Sequence, residues 1–308
     1  MRKAFVRKLV ELAEKDKDVF LLTGDMGFSV LESFIEKFPD RYLNCGVAEQ
    51  NMIGMACGLT LKNKKVFVYS IIPFVTYRVL EQIRNDLCYQ RVPVKIIGVG
   101  SGILYGTAGC THHAIEDIGV MTSLPDIYVF SPGDPLEVEK ILDESVKLEL
   151  PCYIRLNKAG DPLINTEKTI QDFKISEPLN VSGRDKSGVN IFAIGSMLPV
   201  GLEVLKDLEK ENIAARLYSI HTLKPINEEA VVKILEQGIL TVILEEHISR
   251  NNFAQFISSL LVQRRMNKKL LSLSLPDQFI HDVGSQDFIR GKYGLDKNTI
   301  TEKIKSLI

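Results

Sequence analysis

At 308 residues the chain is long enough for two domains of roughly 100–150 residues, each able to bury a core without disulfides or metals. Hydrophobic residues at 45%, charged residues at 25% and a formal net charge of −1 describe an ordinary globular composition, with no field to attract nucleic acid or an anionic membrane surface. Without a membrane-length apolar run, a signal-peptide core or a C-x-x-C pair among its five cysteines (Cys45, Cys57, Cys88, Cys110 and Cys152), the sequence reads as a cytoplasmic protein with reduced, mostly buried thiols.

Phe5, Leu9, Leu12 and Ala13 recur at helical spacing, and the apolar stretch VFLLTGD after them ends in a turn, which predicts a helix and then a buried strand. AEQNMIGMACGLTLKN reads as helix, VFVYS as strand, FVTYRVLEQIRNDLC as helix, VKIIGVG and DIYVFS as strands, PLEVEKILDESVKLE as helix and CYIRL as strand. From about residue 158 to residue 188 the pattern fails in a polar, turn-rich segment. It resumes with NIFAIGS, PVGLEVLKDLEKEN, AARLYSI, EEAVVKILEQ, ILTVILEE and a helix from about Asn252 to Val262. Buried strands alternating with helices predict a mainly parallel sheet covered on both faces. The expected fold is α/β, with two consecutive open α/β domains: residues 1–165, a linker over 166–187, and a smaller domain over 188–308.

Ligands of open α/β sheets bind beyond the carboxyl ends of the strands. The segments there, including TGDMGFS, NCGVAEQ, SIIPF, GTAGCTHH and RLNKAG, are rich in glycine, histidine and acid. Glu49 opens a helix, where a carboxylate either complements the macrodipole or does chemistry. Along that helix Gly54, Cys57 and Gly58 form a small-residue stripe that admits a close helix neighbour, from the same chain or from another chain of an assembly. His112 and His113 follow a glycine-rich loop at the start of another helix, which disfavours imidazolium and keeps a ring able to exchange protons near pH 7; the alternative is an ordinary polar loop. Cys110, Glu116 and Asp117 do not complete a zinc-ligand spacing with them. Phe74 and Tyr77, at i and i+3, are either core aromatics or part of a site. In the second half, the Gly-Ser turn of GSMLPVGLEV either binds an anion or serves its own helix amides, and His221 and His247 read as structural.

In order and spacing, GVAEQNM, VYSIIPFVTY, THHAIED and an α/β tail containing LKP and ILEEH resemble the C-terminal half of transketolases and of 1-deoxyxylulose-5-phosphate synthases. The resemblance covers nearly the whole chain: a pyrimidine-binding domain up to about Arg155 and a transketolase C-terminal domain from about Gly188. It implies a thiamine diphosphate enzyme in which Glu49 hydrogen-bonds N1′ of the aminopyrimidine, so that the exocyclic nitrogen can take the C2 proton of the thiazolium. Phe74 and Tyr77 would pack on the pyrimidine ring, and Asp25 would stand at the edge of the cofactor site. His112, and with it His113, would face the reacting carbons. Arg155 and Lys158 would contact a substrate phosphate, with Lys158 at an arginine position of the family.

The sequence also departs from the family. Gly100 and Ala108 stand where transketolases carry a histidine and an aspartate, and Ser101 stands where the synthases carry a phosphate-binding arginine. The G-D-G…N motif that holds the diphosphate and its Mg2+ is missing from the sequence. The implied protein is one subunit of a split transketolase, completed by an N-terminal transketolase subunit that carries this motif, in a heterotetramer with two of each chain. Its reaction would move a two-carbon ketol unit from a ketose to an aldose, each a small sugar or sugar phosphate. The alternatives are a 2-oxo acid dehydrogenase β subunit, a 1-deoxyxylulose-5-phosphate synthase-like enzyme, or a catalytically silent partner subunit.

Overall fold

A computed structural model describes residues 1–157, 161–183 and 188–308. In the first half the elements run α1 (Arg2–Lys15), β1 (Val19–Thr23), α2 (Glu32–Lys37), β2 (Tyr42–Asn44), α3 (Glu49–Thr60), β3 (Lys65–Ile71), α4 (Ile72–Val75), α5 (Leu80–Gln82), β4 (Lys95–Val99), α6 (Asp117–Ser123), β5 (Tyr128–Phe130), α7 (Pro135–Ser145) and β6 (Cys152–Leu156). In the second they run β7 (Leu179–Gly183), β8 (Val189–Ala193), α8 (Leu198–Lys210), β9 (Ala215–Ser219), β10 (Thr222–Lys224), α9 (Glu228–Gln237), β11 (Leu240–Ile248), α10 (Phe253–Gln263), β12 (Lys269–Leu275), α11 (Gln286–Lys292) and α12 (Lys297–Lys305).

Two sheets result, in the order β10-β5-β6-β4-β3-β1-β2 and β12-β11-β8-β9-β7. All pairings are parallel except those of the edge strands β10 with β5 and β7 with β9. The central strands β4, β6 and β8 are buried at every position, which is why they read as continuous apolar runs rather than alternating ones. On one face of the first sheet, α1 and α7 bury Phe5, Leu9, Val138 and Ile141. On one face of the second, α8 and α12 bury Val204, Leu208, Ile300 and Ile304. A third cluster runs from Met52, Val68 and Ile96 through Val129 and Ile220 to Phe192, Ile243 and Ile257, so the inner layers of both sheets form one continuous apolar core.

Three features depart from the sequence expectations. The segment expected as linker contains β7, whose backbone pairs with β9 at the edge of the second sheet. Strand β10 crosses back to the first sheet, with Thr222 opposite Phe130 and Lys224 opposite Val129, and so ties the two halves through backbone hydrogen bonds. The stretch expected as one helix over FVTYRVLEQIRNDLC is broken into α4, a 3₁₀ turn at Tyr77–Val79, α5 and a π-helical stretch at Ile83–Tyr89. The break falls at Thr76, whose backbone leaves the helical region and whose hydroxyl bonds back to the Ile72 carbonyl at 2.6 Å. Departures of this kind inside a helix are frequent at functional sites. Among the described residues no helix is long and apolar enough to cross a membrane.

Candidate active site

The carboxyl ends of β1, β2 and β3 converge on the start of α3. Glu49 is the first residue of that helix, only 2% exposed, and its carboxylate lies at the positive end of the helix dipole. The Ser70 hydroxyl at the end of β3 donates to Glu49 Oε1 at 3.2 Å, and Arg78 Nη1 donates to Oε2 at 2.7 Å. Gly24, just past β1, leaves room for this carboxylate: a Cβ there would stand 3.0 Å from Glu49 Oε1. Burial, a close-fitting glycine and two side-chain donors hold the carboxylate in one orientation.

Phe74 is half-buried beside it. His112 meets the Phe74 ring edge-on, with centroids 5.4 Å apart at 71°, and meets Tyr105 at 6.3 Å. The Thr111 hydroxyl lies 3.0 Å from His112 Nδ1 and orients the half-exposed ring. Tyr77 turns the other way. Its hydroxyl donates to Glu116 Oε2 at 2.9 Å and accepts the Glu116 amide at 3.2 Å, joining the broken helix to the loop that carries His112. Burial raises the Tyr77 hydroxyl and the Glu116 carboxyl above their ordinary ranges, so the phenol stays a donor at neutral pH. Asp25 lies exposed at the rim with a positive φ of 53°, held by the Asn44 side chain, which accepts its amide at 3.1 Å and donates to its carboxylate at 2.9 Å.

The structure thus brings Glu49, Phe74, Tyr77, His112 and Asp25 to one edge of the first sheet. It separates two others from them. His113 is buried, 2% exposed, with neither ring nitrogen hydrogen-bonded; burial and then the neighbouring His112 lower its basicity, which makes it a neutral interior ring instead of a solvent-facing one. Arg155 is likewise corrected from a substrate contact to a core residue. It is 2% exposed, and its guanidinium donates to Asp117 Oδ2 at 2.8 Å, Asp117 Oδ1 at 3.3 Å and the carbonyls of Ala114 at 2.7 Å and Glu246 at 3.3 Å, so its fork is spent on the protein. Lys158 lies outside the described residues. Ser101 is buried, with its hydroxyl donating to Asn157 Oδ1 at 3.2 Å.

The glycine-rich loop ahead of His112 is braced by the second sheet. At the end of β11, Glu246 accepts from Ser196 Oγ at 2.9 Å and from Gln286 Nε2 at 2.9 and 3.0 Å, and pairs with Arg290. Gly102 has a positive φ of 60°, and a Cβ there would come within 2.1 Å of Glu246 Oε2, so only glycine lets the loop pass this carboxylate. The Ser196 hydroxyl of the Gly-Ser turn therefore serves Glu246. His247 Nε2 accepts the Gly119 amide at 3.2 Å, and buried His221 stacks on Phe173 at 4.3 Å. Cys57, Cys88 and Cys152 are buried, Cys45 is half-buried and Cys110 is exposed.

Sequence reasoning missed Arg78, Ser70, Asn44, Glu116 and Glu246. Asn44, Ser70, Glu116 and Glu246 stood within segments already marked but were given no role at the site; Arg78, just past VYSIIPFVTY, signals nothing until folding sets it beside Glu49. Among the described residues no cluster of three or more histidine, cysteine, aspartate or glutamate side chains could hold a metal ion.

Comparison with known proteins adds a family to this geometry. Residues 1–160 match the model of the transketolase pyrimidine-binding domain, and residues 180–300 that of the transketolase C-terminal domain. A chain provisionally named as a transketolase C-terminal section in Methanocaldococcus jannaschii is 32% identical over 99% of this chain and 95% of its own length. One of the subunits of the apulose-4-phosphate transketolase of Phocaeicola vulgatus is 31% identical over 97% of this chain and 94% of its own. Among solved structures, a split-gene transketolase described as an inactive β4 tetramer superposes with a TM-score of 0.87 at 30% identity, covering 99% of this chain and 97% of that one. The chain belongs to the transketolase family, as its pyrimidine-binding and C-terminal sections together.

Proposed function

We infer that this chain is the pyrimidine-binding subunit of a split, thiamine diphosphate-dependent transketolase, active in the cytoplasm with a companion chain that carries the diphosphate-binding domain. The observation that carries this reading is the buried Glu49 carboxylate, fixed by Ser70 and Gly24, next to a half-buried Phe74 and an edge-on His112. This set fits an aminopyrimidine: a carboxylate for a ring nitrogen and an aromatic surface for a ring face. Relatives of nearly the same length carry names that fit a subunit, among them a 6-deoxy-6-sulfo-D-fructose transketolase subunit of a Clostridium species, 29% identical over 97% of this chain. This chain spans only 48% of a 1-deoxy-D-xylulose-5-phosphate synthase that is 30% identical to it, consistent with the rest of such a site residing on a second polypeptide.

Thiamine diphosphate supplies the carbon nucleophile that accepts and releases a two-carbon ketol unit. Glu49 holds a proton between its carboxylate and the pyrimidine nitrogen, and its burial keeps water from competing. Phe74 orients the ring, and Asp25 stands at the rim. His112, half-exposed and oriented by Thr111, exchanges protons with hydroxyls of the donor and acceptor sugars. The companion holds the diphosphate and Mg2+, and the pair assembles as a heterotetramer. A mixture of this chain with a companion bearing G-D-G…N, given thiamine diphosphate, Mg2+ and a panel of ketoses and aldoses, should transfer a two-carbon unit. Turnover of a 2-oxo acid alone, with no ketose accepted, would reject the assignment.

A further inference from the structure

Two contacts meet on Arg78. Its Nη1 donates to Glu49 Oε2 at 2.7 Å, and its guanidinium carbon lies 4.3 Å from the centroid of the Phe74 ring. A planar group that donates to a carboxylate while standing over an aromatic ring occupies the same two partners that an aminopyrimidine needs here. Glu49 cannot retreat from the pairing, because Ser70 holds its other oxygen and Gly24 backs it closely.

Arg78 is the solvent-exposed member of the pair. Its side chain is 41% exposed while that of Glu49 is 2% exposed, so the charge on the arginine can be rehydrated and the carboxylate cannot. Its backbone carbonyl accepts from Gln50 Nε2 at 3.2 Å, which anchors the residue beside α3 while the guanidinium swings. The break at Thr76 places Arg78 in the short 3₁₀ turn outside the regular helix, so the swing disturbs no helical ladder.

We propose that Arg78 is a placeholder for the aminopyrimidine ring: it holds Glu49 and covers Phe74, and it must leave both before the ring takes them. The proposal rests on the assignment of Glu49 and Phe74 to the thiamine diphosphate site. A site open only part of the time binds more weakly by that fraction. Losing one half-exposed ion pair and one cation–π contact frees the site by a factor of about 3 to 30.

The test is titration calorimetry of thiamine diphosphate with Mg2+ into the assembled complex of this chain and its companion. Arg78→Met keeps the aliphatic stem and removes the guanidinium, and should bind about 3- to 30-fold more tightly than wild type. Arg78→Lys, which keeps the charge without the flat fork, should fall between them. In a Glu49→Gln background the gain from Arg78→Met should shrink. Equal or weaker binding by Arg78→Met overturns the placeholder, as does an undiminished gain without the Glu49 carboxylate. If the wild-type complex binds no thiamine diphosphate, the assignment of the site falls and the placeholder with it; a flat comparison between binding-competent proteins removes the placeholder alone.

Discussion

Two arginine–carboxylate pairs of nearly equal length lie in the first half of this chain. Arg78 meets Glu49 at 2.7 Å with the arginine 41% exposed, and Arg155 meets Asp117 at 2.8 Å with side-chain exposures of 1% and 0%. The second pair is embedded in further bonds: Tyr153 adds a hydrogen bond to Asp117 at 2.6 Å, and Arg155 Nη2 also donates to the carbonyls of Ala114 and Glu246. The first has one partner that water can replace. Distance alone does not separate a structural ion pair from an exchangeable one; the saturation and burial of both partners do.

The comparison can be broken from its functional side first. Glu49→Gln should lower turnover of the assembled enzyme by about 10³-fold or more, as expected when a group that manages a proton is lost. Complex formation by sedimentation should be unchanged, because the amide keeps the shape and the Ser70 contact. On the structural side, Arg155→Met leaves the Asp117 charge buried without its ion-pair partner and should destabilise the chain by about 3 to 5 kcal/mol in urea unfolding. Arg155→Met combined with Asp117→Leu should recover part of that loss, whereas a double variant as unstable as the single one would mean that packing, and not the stranded charge, sets the cost.

A smaller effect sharpens the same contrast through pH. Burial lowers the pKa of His221 to about 3 in the folded chain. An unfolded histidine titrates near 6.5, so its contribution to stability is complete above about 6.5 and is lost as pH falls from there toward 3. His221→Phe, which keeps a ring against Phe173, should remove this term and lessen the loss of stability on going from pH 7 to pH 4.5 by about 2 kcal/mol. An acid-unfolding profile parallel to wild type would refute it. Least of all, Tyr77→Phe removes the two hydrogen bonds to Glu116 and should cost about 1 kcal/mol in thermal unfolding.

The sequence made the repeating part of the fold legible. VKIIGV, CYIRL and NIFA are mostly apolar runs, interrupted only by Lys95, Arg155 and Asn190, because both faces of their sheets are covered, and that pattern survives without knowledge of neighbours. Strand β10 was not legible, because three residues gain their strand character only from pairing with Phe130 and Val129 far back in the chain. Nor was β7, whose burial alternates weakly within a polar segment. The break at Thr76 was hidden because the apolar period runs on through it, while the Thr76 hydroxyl acts locally against the helix by bonding back to the Ile72 carbonyl.

Glu49, Phe74, Tyr77, His112 and Asp25 could be marked as candidates because each belongs to a short motif just after a strand; the structure gathers them at one sheet edge, with the Tyr77 hydroxyl turned to Glu116. Arg155 was misplaced for a physical reason. A basic residue near the end of a strand looks like a phosphate ligand until its partner appears, and Asp117 sits 38 positions earlier in sequence yet touches it in the core. The adjacent His112 and His113 look equivalent in sequence, and the chain turns between them, so that one ring faces Phe74 and the other the interior.

The most direct test of the account is a calorimetric titration of thiamine diphosphate and Mg2+ into three samples: this chain, the companion bearing G-D-G…N, and their mixture. The account predicts saturable binding by the mixture far tighter than by either chain alone, and weaker binding when this chain carries Glu49→Gln. Binding by the companion alone as tight as by the mixture, or a mixture indifferent to Glu49→Gln, would contradict the claim that this chain completes the cofactor site through Glu49.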